Sequence, residues 1–235
     1  MITIDHVSKK FGGVEAIRDF SVAVGDDEIF GLVGPNGAGK TTTIRMMTGL
    51  LVPDTGRILI GGHDIVREPL QAKAVLGYIP DRAFLYEKLT AREFLIFMAS
   101  IYRIGRSEAL TRIGELLTLL GISESADRLI ESFSQGMRQR LLFAASLVHD
   151  PKVLLIDEPF TGLDPFGVRT LKEIITGLSA KGTSVFLATH SLHIAEGLCH
   201  RVGFVSDGAL VAVRKREEIH AAEGGLEGMF LKISG

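Results

Sequence analysis

One nine-residue run limits the possible folds of this chain more than any other feature. It reads Gly34-Pro35-Asn36-Gly37-Ala38-Gly39-Lys40-Thr41-Thr42 and lies between an apolar strand candidate (Glu28 to Gly34) and a helix predicted from Lys40 to about Leu50. The run matches G-x-x-x-x-G-K-[ST], in which glycines let backbone N–H groups turn toward an anion at a helix N-terminus. A glycine-rich turn with an incidental lysine would not need that strand–helix context. We therefore predict a phosphate-binding loop, with Lys40 reaching the β and γ phosphates and the Thr41 hydroxyl binding Mg²⁺.

A second motif ends an apolar strand with two carboxylates. The sequence Val153-Leu154-Leu155-Ile156-Asp157-Glu158 is weak evidence alone, because a strand often meets a polar loop. Side chains of successive strand residues diverge, so the two carboxylates can take different roles. We expect Asp157 to hold Mg²⁺ through water and Glu158 to orient or deprotonate the attacking water. Together with the phosphate loop, this pair predicts a nucleotide hydrolase.

Hydrophobic periodicity divides the chain into strand-rich and helix-rich parts. The first third of the chain is predicted to form short strands, and the spacing of apolar residues predicts helix from Thr90 to about Ile130. From Arg138 onward, helices and strands alternate up to Val205, which favours a largely parallel sheet covered by helices. The tail from Lys215 to Gly235 is expected to form a terminal helix and one strand.

Composition excludes several classes of protein. The net charge of −2 lacks the basic excess of a nucleic-acid-coating protein, so no nucleic-acid partner is expected. The single cysteine, Cys199, cannot form an internal disulfide. We also expect no secretory signal and no membrane span, because the apolar stretches fall far short of about 20 residues.

Further motifs resemble those of the ATP-binding cassette (ABC) family. The segment Phe133-Ser134-Gln135-Gly136-Met137-Arg138-Gln139-Arg140 resembles its signature motif, Thr161-Gly162-Leu163-Asp164 its D-loop, and Thr189-His190 its switch histidine. Phe11 resembles the aromatic residue that stacks on adenine, although a phenylalanine in such a hairpin is often simple core. These motifs follow in the family's order from Phe11 to about Gly208.

The resemblance implies a fold. It is an α/β fold with a P-loop NTPase core and a largely parallel sheet, an antiparallel β subdomain near the N-terminus and an inserted helical subdomain. We predict a single domain over 1–235, with the helical subdomain at about 88–150 and a short C-terminal extension at about 215–235.

The resemblance also implies ligands and site residues. Phe11 and all nine residues of the phosphate loop would bind ATP with Mg²⁺, and Lys40, Glu158 and His190 would be catalytic, with His190 at the γ-phosphate. For His190 the alternative is an ordinary surface or core histidine. The metal ligands would be Thr41, Asp81 and Asp157.

The partners implied are a second ABC ATPase subunit and a membrane permease. In a head-to-tail dimer, identical or mixed, Ser134, Gln135 and Gly136 would serve the ATP of the other subunit, with Asp164 in the D-loop. Ser134 is also a plausible plain helix N-cap. A separate integral membrane permease would dock on the helical insert and the loop from Asp81 to about Leu89. The chain would then lie on the cytoplasmic face of the membrane.

The sequence departs from the family pattern in the segment that normally carries glutamine. Here Gly77-Tyr78-Ile79-Pro80 leads to Asp81. An aspartate is anionic, so it favours Mg²⁺ more strongly and repels Asp157 and Glu158 when no metal is bound. In the signature segment, Gln135 and Met137 replace the commoner glycine and glutamine.

The favoured function is the energy-coupling subunit of a transporter, with export favoured because the Asp81 and signature segments resemble those of bacterial multidrug and polysaccharide-type exporters. One alternative is a soluble ABC-type ATPase that acts on DNA or ribosomes. The 94 residues between Lys40 and Ser134 leave no room for the long coiled coil of DNA-repair relatives. Another alternative is a nucleotide-binding module that no longer hydrolyses, which the presence of Lys40, Asp157, Glu158 and His190 disfavours.

Overall fold

The computed structural model describes residues 1–82, 84–160 and 163–234, with side chains described through Lys232. The strands are β1 (Ile2–Phe11), β2 (Val14–Val24), β3 (Ile29–Val33), β4 (Thr55–Ile60), β5 (His63–Asp64), β6 (Leu76–Ile79), β7 (Val153–Asp157), β8 (Ser184–Thr189), β9 (Arg201–Ser206) and β10 (Ala209–Lys215). The α-helices are α1 (Lys40–Met47), α2 (Pro69–Ala74), α3 (Ala91–Ile101), α4 (Arg106–Leu119), α5 (Gln135–Leu147), α6 (Pro165–Ser179), α7 (Leu192–Leu198), α8 (Arg216–Ala221) and α9 (Gly225–Ser234).

The strands form two sheets. The N-terminal sheet has the order β2-β1-β4-β5 and is antiparallel, whereas the second sheet has the order β10-β9-β3-β8-β7-β6. In the second sheet every pairing is parallel except β10 with β9. Every residue of β3, β7 and β8 is buried, as expected for central parallel strands covered on both faces. The predicted α/β fold with a parallel-rich sheet and an N-terminal antiparallel sheet is confirmed.

The helices α3, α4 and α5 lie in sequence between β6 and β7 and pack against one another. Thr90 begins α3 with a reciprocal capping box, in which its hydroxyl accepts from the Glu93 N–H and the Glu93 carboxylate accepts from the Thr90 N–H. Apolar positions spaced by three and four residues, such as Ile113, Leu116 and Leu117, turn inward from α4. Between Leu119 and Ser134 the chain forms two 3₁₀ turns rather than the continuous helical texture predicted to about Ile130.

The predicted strand within the tail is wrong. The strand β10 ends at Lys215, where the tail begins, and two helices follow. Glu218 accepts a hydrogen bond from the Lys215 N–H at 3.1 Å, which favours a helix start there. Phe230 of α9 then packs on Phe204 of β9, with 6.4 Å between the ring centroids. Among all the residues that the structure describes, we find no helix with the length and hydropathy of a membrane span.

Candidate functional site

The predicted phosphate loop joins the buried strand β3 to α1. Gly39 is the residue before the helix and has a φ of 110°, a left-handed conformation that glycine adopts without strain. A Cβ atom at Gly34 would collide with the carbonyl oxygen of Val205 on β9, so glycine is also required for the close approach of these strands. The loop therefore needs its glycines at both ends, for different reasons.

Lys40 is 7% exposed and lies folded against its own loop. Its Nζ donates to the carbonyl oxygens of Gly34 at 2.7 Å and Pro35 at 3.0 Å. Burial lowers the pKa of the Lys40 ammonium, whereas the charges of Glu158 and Asp157 act in the opposite direction. An anion bound at the loop could replace these carbonyl contacts with a stronger, charge-assisted interaction.

A cleft of about 390 Å³ opens over this loop. Its lining consists of Asn36, Gly37, Gly39, Lys40, Thr41, Thr42, Asp81, Glu158 and His190. The structure thus brings four separate parts of the chain to one place, as the carboxyl ends of neighbouring parallel strands require. Gly34, Pro35 and Ala38 belong to the loop but do not line the cleft.

Asp157, at the end of β7, is a buried carboxylate with an unsatisfied oxygen. The residue is 2% exposed, and its Oδ1 has no hydrogen-bond partner in the described part of the chain. Burial raises the pKa of Asp157 to about 6, Glu158 and Asp81 push it the same way, and the Thr41 hydroxyl opposes the shift. Such an orphaned, destabilised oxygen is a suitable ligand for a cation.

Mg²⁺ fits this donor set only if a nucleotide supplies the remaining ligands. Among the described residues, no three acidic, histidine or cysteine side chains cluster closely enough to hold a metal by themselves. Mg²⁺ is commonly held by one or two protein ligands together with substrate phosphates and water. Asp157 and Thr41 can provide the protein ligands, and Asp81 faces the same cleft.

Glu158 is held by the strand next to its own. Its backbone has a φ of 48°, unusual for a residue other than glycine, and its N–H donates to the Ala188 carbonyl at 3.0 Å. The carboxylate accepts from the Thr189 hydroxyl at 3.0 Å and from the His190 N–H at 2.8 Å. His190 Nδ1 also lies 2.8 Å from Glu158 Oε1. The two residues predicted to act at the γ-phosphate are therefore direct neighbours.

The role of Thr189 in holding Glu158 was not predicted from the sequence. A polar residue at the end of the fully buried strand β8, next to the strand that carries the carboxylates, is the signal that could have identified it.

Phe11 is 48% exposed at the end of β1, where the chain turns through Gly12 and Gly13, both with positive φ. The Lys9 ammonium lies 5.8 Å from the ring centroid. Phe11 does not line the phosphate cleft. Its ring is thus a surface group, available for stacking, rather than part of the core.

The predicted signature residues line a different cavity. Ser134 is the N-cap of α5, and its hydroxyl accepts from the Met137 N–H at 3.3 Å. Asp164 caps α6 by accepting from the Gly167 N–H at 2.7 Å. The cavity measures about 400 Å³ and is lined by Ser134, Gln135, Gly136, Met137, Arg140 and Asp164. Among the described residues it shares no lining with the phosphate cleft. The predicted D-loop residues Thr161 and Gly162 lie outside the described residues.

Arg140 is a member of this cavity that the sequence did not single out. Its Nε is buried without a hydrogen-bond partner in the part of the chain that the structure describes. Its place in the signature segment was the available signal.

An apolar groove of about 450 Å³ lies beside the helical insert. Its rim carries three exposed aromatic rings, Phe84 at 89%, Tyr86 at 59% and Phe97 at 41%. Phe97 belongs to α3, and Phe84 and Tyr86 belong to the loop that follows Asp81. This is the surface that the sequence analysis expected a permease to contact.

Comparisons with known proteins agree on one family. Residues 17–161 match the ABC transporter family. The chain is 36% identical to the linearmycin resistance ATP-binding protein of Bacillus subtilis, over 100% of this chain and 76% of that protein. It is 39% identical to the fluoroquinolones export ATP-binding protein of Mycobacterium tuberculosis, over 88% of this chain and 67% of that protein. A solved structure of an ATP-binding subunit of an ABC transporter superimposes with a TM-score of 0.93 at 29% identity, covering 100% of both chains.

Proposed function

Because the chain belongs to the ABC transporter family and is an ATP-binding subunit with ATPase activity, we propose that it drives export through a separate membrane permease. Two relatives that span most of this chain are named for antibiotic resistance and for drug export, which supports this direction of transport. The observation that carries its action as one half of a dimeric motor is the separation of the phosphate cleft from the signature cavity. A chain with two half-sites needs a second subunit to complete each one.

In the phosphate cleft, Lys40 leaves its own loop carbonyls for the β and γ phosphates of ATP, and the Thr41 hydroxyl and the Asp157 carboxylate would hold Mg²⁺. The ion would supply positive charge that offsets the phosphate oxygens and the buried Asp157 carboxylate. Asp81 lies on the rim of the same cleft and adds a third oxygen donor. The loop residues that line the cleft bind phosphate through their backbone N–H groups.

Glu158 is the base that orients and deprotonates the attacking water, and His190 positions it. When Nδ1 of His190 donates to Glu158, Nε2 carries a hydrogen only in the imidazolium form. His190 can therefore donate to the γ-phosphate and to Glu158 at once only when it is protonated.

The second half-site acts in trans. The N-terminus of α5 at Ser134, Gln135 and Gly136 presents backbone donors to the γ-phosphate of ATP held by the partner subunit. Asp164 fixes the start of α6 beside this surface. ATP thereby closes the dimer, and hydrolysis removes the bridging phosphate and reopens it.

The permease binds in the apolar groove formed by α3 and the loop after Asp81. The exposed rings of Phe84, Tyr86 and Phe97 favour a partner segment with apolar side chains. The same loop begins at the phosphate cleft, so closure of the dimer around ATP can move the residues that line the groove. We propose that the subunit lies on the cytoplasmic face of the membrane. Phe11, which lies outside the cleft, stacks on the adenine.

A Glu158→Gln variant tests the assignment of the base. We expect it to bind ATP with Mg²⁺ at wild-type affinity, to lose at least about a hundredfold in kcat, and to accumulate an ATP-loaded dimer in light scattering. Glu173→Gln, at an exposed ion pair with Arg169 on α6, is the matched control and should keep full activity. Near-normal steady-state hydrolysis by Glu158→Gln would refute the assignment.

The trans arrangement has a separate test in the same background. Adding Ser134→Glu to Glu158→Gln places a negative charge at the signature cavity. We expect the double variant to remain monomeric with ATP while the monomer keeps its affinity for ATP. If Ser134 serves the nucleotide of its own chain, that affinity falls instead.

A further inference from the structure

The segment after α5 supports the open edge of the six-stranded sheet. Among the described strands, β6 pairs with β7 alone, and the Val75 carbonyl accepts from the Val153 N–H at 3.0 Å. Because successive carbonyls alternate in direction along a strand, the Leu76 carbonyl points to the opposite, open edge. There His149 Nε2 lies 3.0 Å from the Leu76 oxygen. Burial lowers the pKa of His149 to about 4, so the ring is neutral near pH 7 and donates through its Nε2–H.

The face of the His149 ring contacts the helical insert. The Tyr102 ring stacks on the His149 ring with 3.6 Å between centroids and an interplanar angle of 2°. Tyr102 is the C-cap residue directly after α3, and it also lines the apolar groove. The imidazole therefore connects Tyr102, at the end of α3, to the open edge of the sheet.

Two further contacts hold the same junction together. A Cβ at Gly77 would lie 2.6 Å from the Ser146 carbonyl oxygen, so α5 reaches β6 this closely only because residue 77 is glycine. From α4, Arg112 donates to the Leu147 carbonyl at 2.9 Å and pairs with Asp150 at 3.0 Å. Elements α3, α4, α5 and β6 thus meet around His149.

We propose that His149 is a positioning residue, which with Tyr102 fixes the helical insert against β6 and so sets where that strand delivers Asp81 to the phosphate cleft. The strand ends at Ile79, and Asp81 follows two residues later on the rim of the cleft. Movement of α3 then passes to the nucleotide through one stacked pair and one hydrogen bond. The inference rests on the proposed function only in taking α3 as the permease-facing helix.

Distance measurements on the full chain test this directly. Spin labels go on Glu108→Cys in α4 and Lys181→Cys after α6, both exposed positions. The native Cys199 is fully buried, and burial raises the pKa of its thiol to about 12, so it does not compete for the label. His149→Phe keeps the ring and loses the donor, His149→Gln keeps a donor and loses the ring, and Tyr102→Ala removes the stack. Tyr102→Phe retains the stack and is the matched control.

We expect His149→Phe and Tyr102→Ala to broaden the label distance distribution and to speed hydrogen exchange of the β6 amides by about three- to tenfold, the effect of one lost neutral contact. The KM for ATP should rise by a similar factor while kcat stays within about twofold. In His149→Gln, the β6 amides should exchange as slowly as in wild type, whereas the label distance distribution should be broader. Tyr102→Phe, the conservative variant, should restore the wild-type distances and β6 exchange that Tyr102→Ala loses.

The effect of a general loss of stability is measured separately with Ile219→Val, which opens a small cavity at α8, a helix that packs on α9 and β10 at the opposite edge of the sheet from β6. It should lower Tm without moving the distances or the KM. Unchanged distances and β6 exchange in both His149→Phe and Tyr102→Ala would overturn the proposal. These readouts need no permease, so they fail independently of the transport function.

Discussion

Replacing Asp157 with asparagine is expected to stabilise the nucleotide-free protein while abolishing its Mg²⁺-dependent activity. The carboxylate is 2% exposed, one of its oxygens lacks a partner among the described residues, and burial raises its pKa to about 6 from its usual value of 3.8. A charged group in that position is costly until a cation arrives. Asparagine has the same shape and no charge, and its amide can donate to the Thr41 hydroxyl.

The sign and size of the effect follow from the pKa shift. Between pH 3.8 and about 6 the unfolded chain loses this proton and the native chain keeps it, so the free energy of unfolding falls as pH rises through that window. Above about pH 6 the loss is complete. The shift of about two units corresponds to at most about 3 kcal/mol. For a chain of this length that is at most about 6–12 °C in Tm.

The assay is thermal unfolding of wild type and Asp157→Asn without nucleotide, from pH 4 to pH 8. We expect the variant to melt higher at pH 7.5, with the difference closing as pH falls toward 4. Adding ATP with Mg²⁺ should then raise the Tm of wild type far more than that of the variant. A variant that is no more stable at pH 7.5, or a difference independent of pH, would show that the buried charge is not the cost inferred here.

Two other substitutions test the remaining ligand contacts. Asp81→Gln should make the Mg²⁺ dependence of both ATP binding and ATP hydrolysis less steep, because it removes an anionic donor from the cleft. Asp81→Glu retains the charge and is the control. Superimposable Mg²⁺ titrations of Asp81→Gln and wild type would reject a role of Asp81 in binding the metal. Phe11→Ala should weaken ATP binding by about five- to 150-fold, the range expected for one lost base–aromatic stack, when measured by calorimetry. Val14→Ala, at a neighbouring and more exposed apolar residue, should bind ATP as wild type does, and equal affinities for all three proteins would remove Phe11 from the adenine site.

Features that lie within a short stretch of chain could be predicted from the sequence. The phosphate loop follows β3 and precedes α1 as expected, because glycines, lysine and threonine at fixed spacing specify a local backbone path. Helix α6 lies in the region from Arg138 onward where alternating helices and strands were predicted, and its proline and capping Asp164 mark its start. The tail was predicted less well, because its short helices depend on packing against α7 and β9 rather than on periodicity.

Contacts between distant segments were beyond sequence reasoning. The sequence indicated that Glu158 ends a strand and that His190 acts at the γ-phosphate, but the strand order that places β7 beside β8 was needed to join their side chains. The contact of Thr189 with Glu158 and the place of Arg140 in the signature cavity likewise became apparent only from the tertiary structure. Nothing in the pattern around His149 predicted a ring stacked between α3 and the edge of the sheet.

By itself, the sequence determined the chemistry of this protein: a loop that binds phosphate, a carboxylate pair after a buried strand, and a helix cap that resembles a second anion site. These properties are local, since they depend on residue type and spacing within a few residues. The tertiary structure decided which of these groups meet. It placed the phosphate loop and carboxylates in one cleft and Ser134 in another, because chain packing, not spacing, sets distances between segments remote in sequence.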